Sequence, residues 1–458
     1  MPAWLSELAP ILILLAVIAL VVSRLPRVEL GHSAAYIRRR FFNWFPVGLT
    51  YAFLYMGRYN LNVCKTALGD VMSKQDFGTI FFCGTLVYGV SFVINGPLTD
   101  RFGGRRTILL AAVGSAAMNV AMGGVLVGHH HHLVPIFSVL YALNMYFQSF
   151  GAVSIVKVNS AWFHVRERGT FGGIFGILIS LGIYFAYDWG HVIVTHAPTA
   201  WVFFVPAAIL LGFAALDFFL VRDRPSDAGH PDFDVGDASS GDDGAPLGVK
   251  RVALTMLKNP IIMTIAAVEF CSGYLRNAIM QWYPIFAAET GIATQFVASH
   301  WGMLLCIAGI LGGMFAGVIS DRVFQSRRGP VSAVLYAALL VGAGLVYSLL
   351  GTGLLGWLMI FMSLCIIGVH GMLSGTASMD FGGKKNAGVA VGIIDGFVYL
   401  GTAAEAVVLG HVLPTGAAKK LPANWTAWPI VMVPAAVIGL VLAIRVWNAK
   451  PAPKGATH

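Results

Sequence analysis

The stretch that decides the fold is FFNWFPVGLTYAFLYMGRYNLNVCK, residues Phe41–Lys65. It is apolar over a length that can cross a bilayer, and it carries one arginine, Arg58, near its far end. An arginine at membrane depth costs about 3 kcal/mol on insertion scales, so it usually faces a water-filled cavity or an anionic partner. The alternative is that Arg58 extends to the nearby interface, because Lys65 follows two turns later.

The chain contains a long internal repeat. Pro260–Pro284 is a second apolar stretch with one arginine, Arg276, which follows Arg58 by 218 positions. Two further pairs of segments recur at offsets of 221 and 219: GPLTDRFGGRR with GVISDRVFQSRRG, and RERGTFGGIFG with GKKNAGVAVGIIDG. Three recurrences at nearly one spacing indicate two homologous halves. Membrane transporters that are built from two repeats bind substrate near the midplane, where the repeats meet. We therefore expect Arg58 and Arg276 to face each other.

The composition is that of an integral membrane protein. Hydrophobic residues make up 57% of the 458 residues and charged residues only 11%, whereas soluble chains carry about a quarter. The net charge of +9 does not indicate nucleic acid binding, because the basic residues lie in short loops between apolar segments. All five cysteines fall within or at the ends of apolar spans, without paired spacing, and are predicted to be small core residues.

We predict an all-α membrane protein with twelve spans in two halves and one extra N-terminal transmembrane helix. The predicted spans are 41–63, 79–98, 107–128, 134–161, 170–192, 200–221, 260–284, 294–319, 331–350, 354–378, 387–411 and 425–447. The predicted domains are the extra helix with a basic linker (1–40), the first half (41–221), a cytoplasmic linker (222–259), the second half (260–447) and a cytoplasmic tail (448–458).

The distribution of Lys and Arg predicts the orientation. Basic clusters recur on one side of the predicted bundle, at 24–40, 101–106, 166–168, 222–258, 322–328, 384–385 and 445–454. The positive-inside rule therefore places both ends of the twelve-span core in the cytoplasm and Met1 outside. A secretory signal peptide is the alternative for Trp4–Val22. The beginning of this run contains Glu7 but no Lys or Arg, whereas a signal peptide begins with basic residues.

Other site types are less well supported. The His129–His132 run could bind a transition metal, but adjacent positions on one short loop make a poor closed site. No GxxxxGK[ST] phosphate-binding pattern occurs, which argues against an ATP-driven pump. We therefore expect no metal, no cofactor and no enzymatic activity.

Several motifs allow the chain to be compared with a known family. The DRFGGRR and SDRVFQSRRG loops resemble the inter-helix signature of the major facilitator superfamily. More narrowly, four segments resemble the organophosphate:phosphate antiporter family: YMGRYNLN, FQSFGAVSIVKVNSAWFHVRERG, YLRNAIMQWYP and the KKNAG loop. The resemblance extends from Phe41 to Trp447. It implies the twelve-helix major facilitator fold and the exchange of a phosphorylated metabolite for inorganic phosphate.

The resemblance also implies a phosphate site. In that family one arginine from the first span and one from the seventh hold the substrate phosphate, and these positions match Arg58 and Arg276. The chemistry agrees, because guanidinium stays ionised when buried and its planar fork matches phosphate oxygens. We expect a monomer in the bacterial inner membrane whose partners are the lipid bilayer, the phosphorylated metabolite and inorganic phosphate.

The chain departs from the family at specific positions. Several members have Lys after the first-span arginine, where this chain has Tyr59. A fifth-span histidine of the glycerol-3-phosphate type aligns with Ile179, and Asp395 replaces a small residue in the eleventh span. The resemblance therefore supports the phosphate clamp without identifying the organic part of the substrate.

Other polar residues within spans complete the expected site. Lys157 is expected to line the cavity or to pair with an acid such as Asp395. Glu269 lies two turns before Arg276 and is either a structural partner or a counter-ion that substrate displaces. The remaining expected substrate-binding residues are Tyr59, Tyr274 and Tyr399.

Three functions remain open at this point. The first is antiport of a phosphorylated metabolite against inorganic phosphate. The second is proton- or cation-coupled transport of another organic anion, with Glu269, Asp395 or Glu405 as the coupling acid. The third is a non-transporting sugar-phosphate sensor of the same fold, in which the extra N-terminal helix could dock on a partner kinase.

Overall fold

The computed structural model describes residues 3–24, 30–128, 132–164, 167–235, 254, 256–325, 327–377 and 387–448. Within these residues all regular secondary structure is helical. A bilayer favours this outcome, because a helix satisfies its backbone hydrogen bonds within one segment. The all-α prediction is confirmed.

The first half contains six spans. Ser73 begins the second span with a capping box, because its side chain accepts from the Asp76 amide and Asp76 accepts from the Ser73 amide. The helices are α2 (Ala34–Leu68), α3 (Lys74–Phe102), α4 (Gly104–Val127), α5 (Leu133–Ser160), α6 (Arg168–Tyr184), α7 (Gly190–His196) and α8 (Trp201–Leu220). A π-helical segment, Phe185–Trp189, joins α6 and α7 into the fifth span.

The second half repeats this arrangement. The Asn259 side chain caps the seventh span by accepting from the Ile261 and Ile262 amides, and Pro260 occupies its first turn. The helices are α9 (Pro260–Met280), α10 (Trp282–Glu289), α11 (Phe296–Ser299), α12 (Trp301–Val323), α13 (Arg328–Leu349), α14 (Leu355–His370), α15 (Ala387–Val412) and α16 (Ala427–Arg445). The π-helical segment Gly371–Ala377 extends α14.

Each of the twelve predicted spans contains a helix. Ten helices in the described part of the chain are long and apolar enough to cross a membrane. The core spans outside that group are α2 and α9, which carry Arg58 and Arg276. The two spans that carry the arginines are therefore less apolar than the others.

The extra N-terminal segment forms a helix, α1 (Ala3–Arg24), with Leu14 and Val21 buried in the main core. That α1 crosses the membrane stays a prediction. Four further predicted features lie wholly or largely outside the described residues: His129–His131 of the histidine run, 236–253 of the linker, Lys384-Lys385 and 449–458 of the tail.

The two halves pack through helix pairs α3–α15 and α6–α12. At Gly78 of α3, an added Cβ would lie 2.4 Å from the Ala406 carbonyl oxygen of α15, so glycine permits this approach. We call the end of the bundle where α2 begins and α16 ends the terminal face, and the other end the opposite face. Each half presents its arginine helix, α2 or α9, to the space between the halves.

Candidate substrate site

Arg58 lies in the middle of the bundle and is 1% exposed. Its Nε donates to Gln148 Oε1 at 3.0 Å, and its Nη1 donates to the Tyr399 hydroxyl at 2.9 Å. Its Nη2 is buried and has no hydrogen-bond partner among the described residues. A buried charged donor without an acceptor is unfavourable, so Nη2 is a candidate contact for an anion.

Aromatic rings surround the Arg58 guanidinium. Its Cζ lies 4.6 Å from the ring centroid of Tyr55, 4.4 Å from that of Tyr88 and 5.9 Å from that of Tyr399. The negative ring faces attract the cation without neutralising its charge. The guanidinium is therefore partly stabilised and keeps its full positive charge for an anionic ligand.

A polar network within the first half orients Arg58. Gln148 Nε2 donates to Ser115 Oγ at 3.1 Å and to Asn144 Oδ1 at 3.3 Å. The Tyr141 hydroxyl donates to the Arg58 carbonyl oxygen at 3.0 Å. Because these buried groups bond to one another, the position of the guanidinium is fixed by α2, α4 and α5 together.

Arg276 occupies the corresponding place in the second half. It is half-buried, and no hydrogen bond or ion pair joins its side chain to another described residue. Arg58 and Arg276 line one cavity of about 10 Å³, together with Tyr59, Phe81, Thr85, Met145, Asn277, Met280, Tyr399 and Thr402. A cavity of this accessible volume is at about the lower limit for holding one water molecule. The halves must therefore separate before an organic phosphate can enter.

The three predicted tyrosines do not share one site. Tyr59 and Tyr399 line the cavity with the two arginines. Tyr274 instead lines an apolar groove of about 500 Å³ between α9, α15 and α16. The structure does not bring Tyr274 together with Arg276, because the two side chains leave different faces of α9.

Lys157 is not in the cavity. Its Nζ lies 2.7 Å from Asp100 Oδ1 near the terminal face, and the two side chains are 41% and 71% exposed. Of the two expectations for Lys157, lining the cavity or pairing with an acid, the structure shows the second, and the acid is Asp100 of α3 rather than Asp395. Asp395 is instead half-buried and accepts a hydrogen bond from the Ser374 hydroxyl.

The two remaining acids have partners within the second half. Glu269 is fully buried, and its Oε2 lies 3.0 Å from His370 Nδ1 of α14. Glu405 is also fully buried and accepts from Asn277 Nδ2, directly behind the cavity wall.

The sequence interpretation did not include Gln148, Asn277 or His370, although a polar residue within an apolar span was an available signal for each.

A network of ion pairs joins the halves at the opposite face. Glu289 of α10 accepts from Lys74 Nζ, and its Oε1 lies 3.8 Å from Lys65 Nζ and 3.9 Å from Lys419 Nζ. Lys419 also bonds to Asp70 in the loop after α2, and this ammonium lowers the pKa of the Asp70 carboxyl. Lys65 and Lys74 belong to the first half, so Glu289 connects the two halves directly.

Curated relatives match over most of the chain. The glycerol-3-phosphate transporter of Bacillus subtilis (strain 168) is 28% identical, covering 91% of this chain and 94% of the relative. The membrane sensor protein UhpC of Salmonella typhimurium is 25% identical, covering 88% and 90%. A probable hexose phosphate transport protein of Chlamydia trachomatis is 24% identical, covering 90% and 92%. These names agree with the resemblance to the organophosphate:phosphate antiporter family.

Solved structures and a family model define the fold. A bacterial homolog of the human lysosomal transporter Spinster superposes with a TM-score of 0.70 at 12% identity, covering 91% of this chain and 98% of that one. The D-xylose-proton symporter gives a TM-score of 0.66 at 16% identity, covering 92% and 100%. The model described as Major Facilitator Superfamily matches residues 47–404. The chain therefore belongs to the Major Facilitator Superfamily.

Proposed function

We propose that this protein exchanges a phosphorylated organic metabolite for inorganic phosphate by alternating access, with Arg58 and Arg276 as the phosphate clamp. One observation carries the proposal: arginines from the two halves line one cavity, and the buried Nη2 of Arg58 has no hydrogen-bond partner among the described residues. The names of the glycerol-3-phosphate and hexose phosphate relatives support a phosphorylated substrate.

The chemistry of the clamp follows from charge and geometry. Phosphate near neutral pH carries up to two negative charges, which two guanidinium groups can neutralise. Each guanidinium offers a planar pair of N–H donors to two phosphate oxygens. Because Arg58 and Arg276 belong to different halves, one phosphate bound to both draws the halves together and favours the occluded state.

The contacts between the halves indicate which side would open first. The side-chain hydrogen bonds that join the halves in the described part of the chain lie at the level of Arg58 or nearer the opposite face. They include Arg58–Tyr399, Asn62–Gln281, Tyr187–Gln281, Asp188–Met303 and Lys74–Glu289. Separation of the halves at the terminal face would break fewer such bonds, so we propose that substrate enters the clamp from that face.

The exchange is tested by counterflow in proteoliposomes. Purified protein is reconstituted with unlabelled phosphate inside, and uptake of labelled phosphate is measured with and without external glycerol phosphate, sugar phosphates or phosphoglycerates. We expect uptake only when phosphate or a phosphorylated metabolite is present inside. Equal uptake into liposomes that contain no anion would contradict exchange.

A sensor is the second candidate, because the UhpC sensor is 25% identical over most of the chain. A sensor would use the same clamp for binding without net movement of substrate. Phosphate binding measured by calorimetry, combined with absent counterflow in correctly folded proteoliposomes, would favour this function.

We also propose that the protein lies in the bacterial inner membrane with the terminal face in the cytoplasm and Met1 outside. The Lys and Arg clusters support this orientation. A reporter fused after Val22 should be active in the cytoplasm, and one fused at Met1 should be active outside. A cytoplasmic Met1, or a mature chain that starts near Arg24, would reject α1 as an extra transmembrane helix.

A further inference from the structure

A second group of ionisable side chains lies in the second half, beside the arginine clamp. Glu269 of α9 is 0% exposed, and its only hydrogen bond in the described part of the chain joins Oε2 to His370 Nδ1 at 3.0 Å. The other carboxylate oxygen, Oε1, is buried without a partner among the described residues. The His370 side chain is 29% exposed, so it is more accessible than the buried carboxylate that it contacts.

Several helices contribute charged or titratable groups around this pair. Asp395 interacts electrostatically with His370, Glu269 and Arg276. On the α12 side the neighbours are small and uncharged, because Gly312 and Ala316 pack against Gly368, two residues before His370. The titratable and charged groups near the pair are Cys271 and Arg276 of α9, Tyr336 of α13, and Asp395 of α15.

The charge balance of this cluster changes when an anion binds. Without an anion, the positive charge of Arg276 compensates part of the negative charge of Glu269 and Asp395. When phosphate binds to Arg276, the negative charge of the phosphate neutralises the arginine. The carboxylates of Glu269 and Asp395 then remain uncompensated in a poorly solvated region. A proton on the His370–Glu269 pair restores the balance, because imidazolium is the one cation that these residues can acquire.

We propose that His370 and Glu269 form a proton-binding site that takes up a proton when phosphate binds to the clamp. The proposal rests on the proposed function, since it assigns a coupled ligand to the same transport cycle. Binding of the two ligands is reciprocal, so a lower pH strengthens phosphate binding and bound phosphate strengthens proton binding. The proton is shared by two interacting groups and belongs to the pair rather than to either residue.

The test measures proton uptake directly. Purified protein in weakly buffered detergent solution with a pH-sensitive dye is titrated with inorganic phosphate near neutral pH, for wild type, His370→Gln and Glu269→Gln. Protons that phosphate itself releases or binds are common to all samples and cancel in the comparison. We expect wild type to take up at least about half a proton more per bound phosphate than either variant. His300→Gln, at the opposite face beside Ser299, is the matched control and should behave as wild type.

Two results with the variants would overturn the proposal, and a third test uses wild type alone. Phosphate binding by the same samples shows separately whether the clamp is intact. The first is a variant that binds phosphate and takes up as many protons as wild type. The second is a folded variant that binds no phosphate at any pH, because the proposal places both residues away from the phosphate. The third needs no substitution: sulfate, which stays a dianion across the neutral range, should bind to the purified protein about fivefold more weakly at pH 8 than at pH 6 in isothermal calorimetry. A flat sulfate profile would contradict a proton-linked site.

Discussion

Arg58 of the first half donates its Nη1 hydrogen bond to the hydroxyl of Tyr399 in the second half, at 2.9 Å. This bond closes the site across the interface between the halves, at the place where the proposed phosphate binds. An anion that takes the same N–H group of Arg58 Nη1 must displace the tyrosine. Substrate binding and collapse of the site therefore compete for one donor.

Tyr399→Phe should tighten phosphate binding. The substitution keeps the ring but removes the acceptor, so Nη1 becomes a second buried donor without a partner in the collapsed site. A loss of about 1 kcal/mol from the collapsed state corresponds to roughly fivefold higher affinity for phosphate. Isothermal calorimetry with inorganic phosphate measures the change.

Tyr55→Phe is the control for that experiment. The Tyr55 ring lies 4.6 Å from the Arg58 Cζ, and the substitution keeps this contact. We expect unchanged phosphate affinity for Tyr55→Phe. Weaker binding by Tyr399→Phe would instead show that the Tyr399 hydroxyl contacts the phosphate.

The meeting of Arg58 and Arg276 at one cavity was predictable because the signal of each arginine is local. A lone guanidinium in an apolar stretch is rare, and its recurrence at Arg276 made it more specific. The position of Lys157 was not predictable in the same way, since only the packing of α3 on α5 brings Asp100 beside it. Sequence periodicity identifies which residues lie within a span, but the partner of a charged side chain depends on how the helices pack.

Arg58→Lys and Arg276→Lys should each lower phosphate exchange at least about 100-fold. Lysine keeps the positive charge but loses the planar pair of donors that matches phosphate oxygens. At Arg58 it also loses the bonds to Gln148 and Tyr399 that orient the cation. The readout is the initial rate of labelled phosphate uptake into phosphate-loaded proteoliposomes, normalised to folded protein.

The matched control is Arg105→Lys. Arg105 Nη2 donates to the Phe218 carbonyl oxygen near the terminal face, away from the cavity. This variant should exchange phosphate at close to the wild-type rate. Near-normal exchange by both clamp variants would show that Arg58 and Arg276 are structural and that the phosphate is held elsewhere.

Asp395→Asn should change the ranking of organic substrates. Asp395 accepts from Ser374 and interacts with the charges of His370, Glu269 and Arg276, so its own charge acts beside the clamp rather than within it. Homologous phosphate exchange should therefore persist, while the relative potency of sugar phosphates and glycerol phosphate as competitors shifts by about threefold or more. Competition against labelled phosphate uptake provides the measurement.

Lys157→Met provides the contrasting variant for Asp395. Because Lys157 pairs with Asp100 at 2.7 Å, its removal should neither alter substrate ranking nor rescue a loss of yield in Asp395→Asn. Rescue of the yield would mean that Lys157 and Asp395 meet in another conformation of the transport cycle. An unchanged ranking for Asp395→Asn would place this carboxylate outside the range of bound substrate.

Sequence reasoning also missed the network around Glu289. Each of its charges lies at the end of a span, where charged residues are common and a single one carries little information. The network exists because α10 brings Glu289 from the second half to Lys65 and Lys74 of the first half. Such a contact between halves of a repeat depends on the conformational state and has no signature in either segment alone.

Glu289→Gln should destabilise the closed opposite face. The substitution removes the carboxylate that Lys65, Lys74 and Lys419 share, and the side chains of Lys65 and Lys74 are both 2% exposed. Buried ammonium groups that lose their counter-ion cost about 3 kcal/mol, so we expect a lower thermal unfolding midpoint in detergent and slower phosphate exchange. Glu167→Gln is the matched control, because Glu167 is similarly buried and pairs with Arg40 at 3.0 Å within the first half alone. That variant should also lower the unfolding midpoint, because Arg40 loses its counter-ion, but it should keep its exchange rate, since no bond between the halves is removed. If the two variants show equal changes in both measurements, the Glu289 network does not hold the halves together.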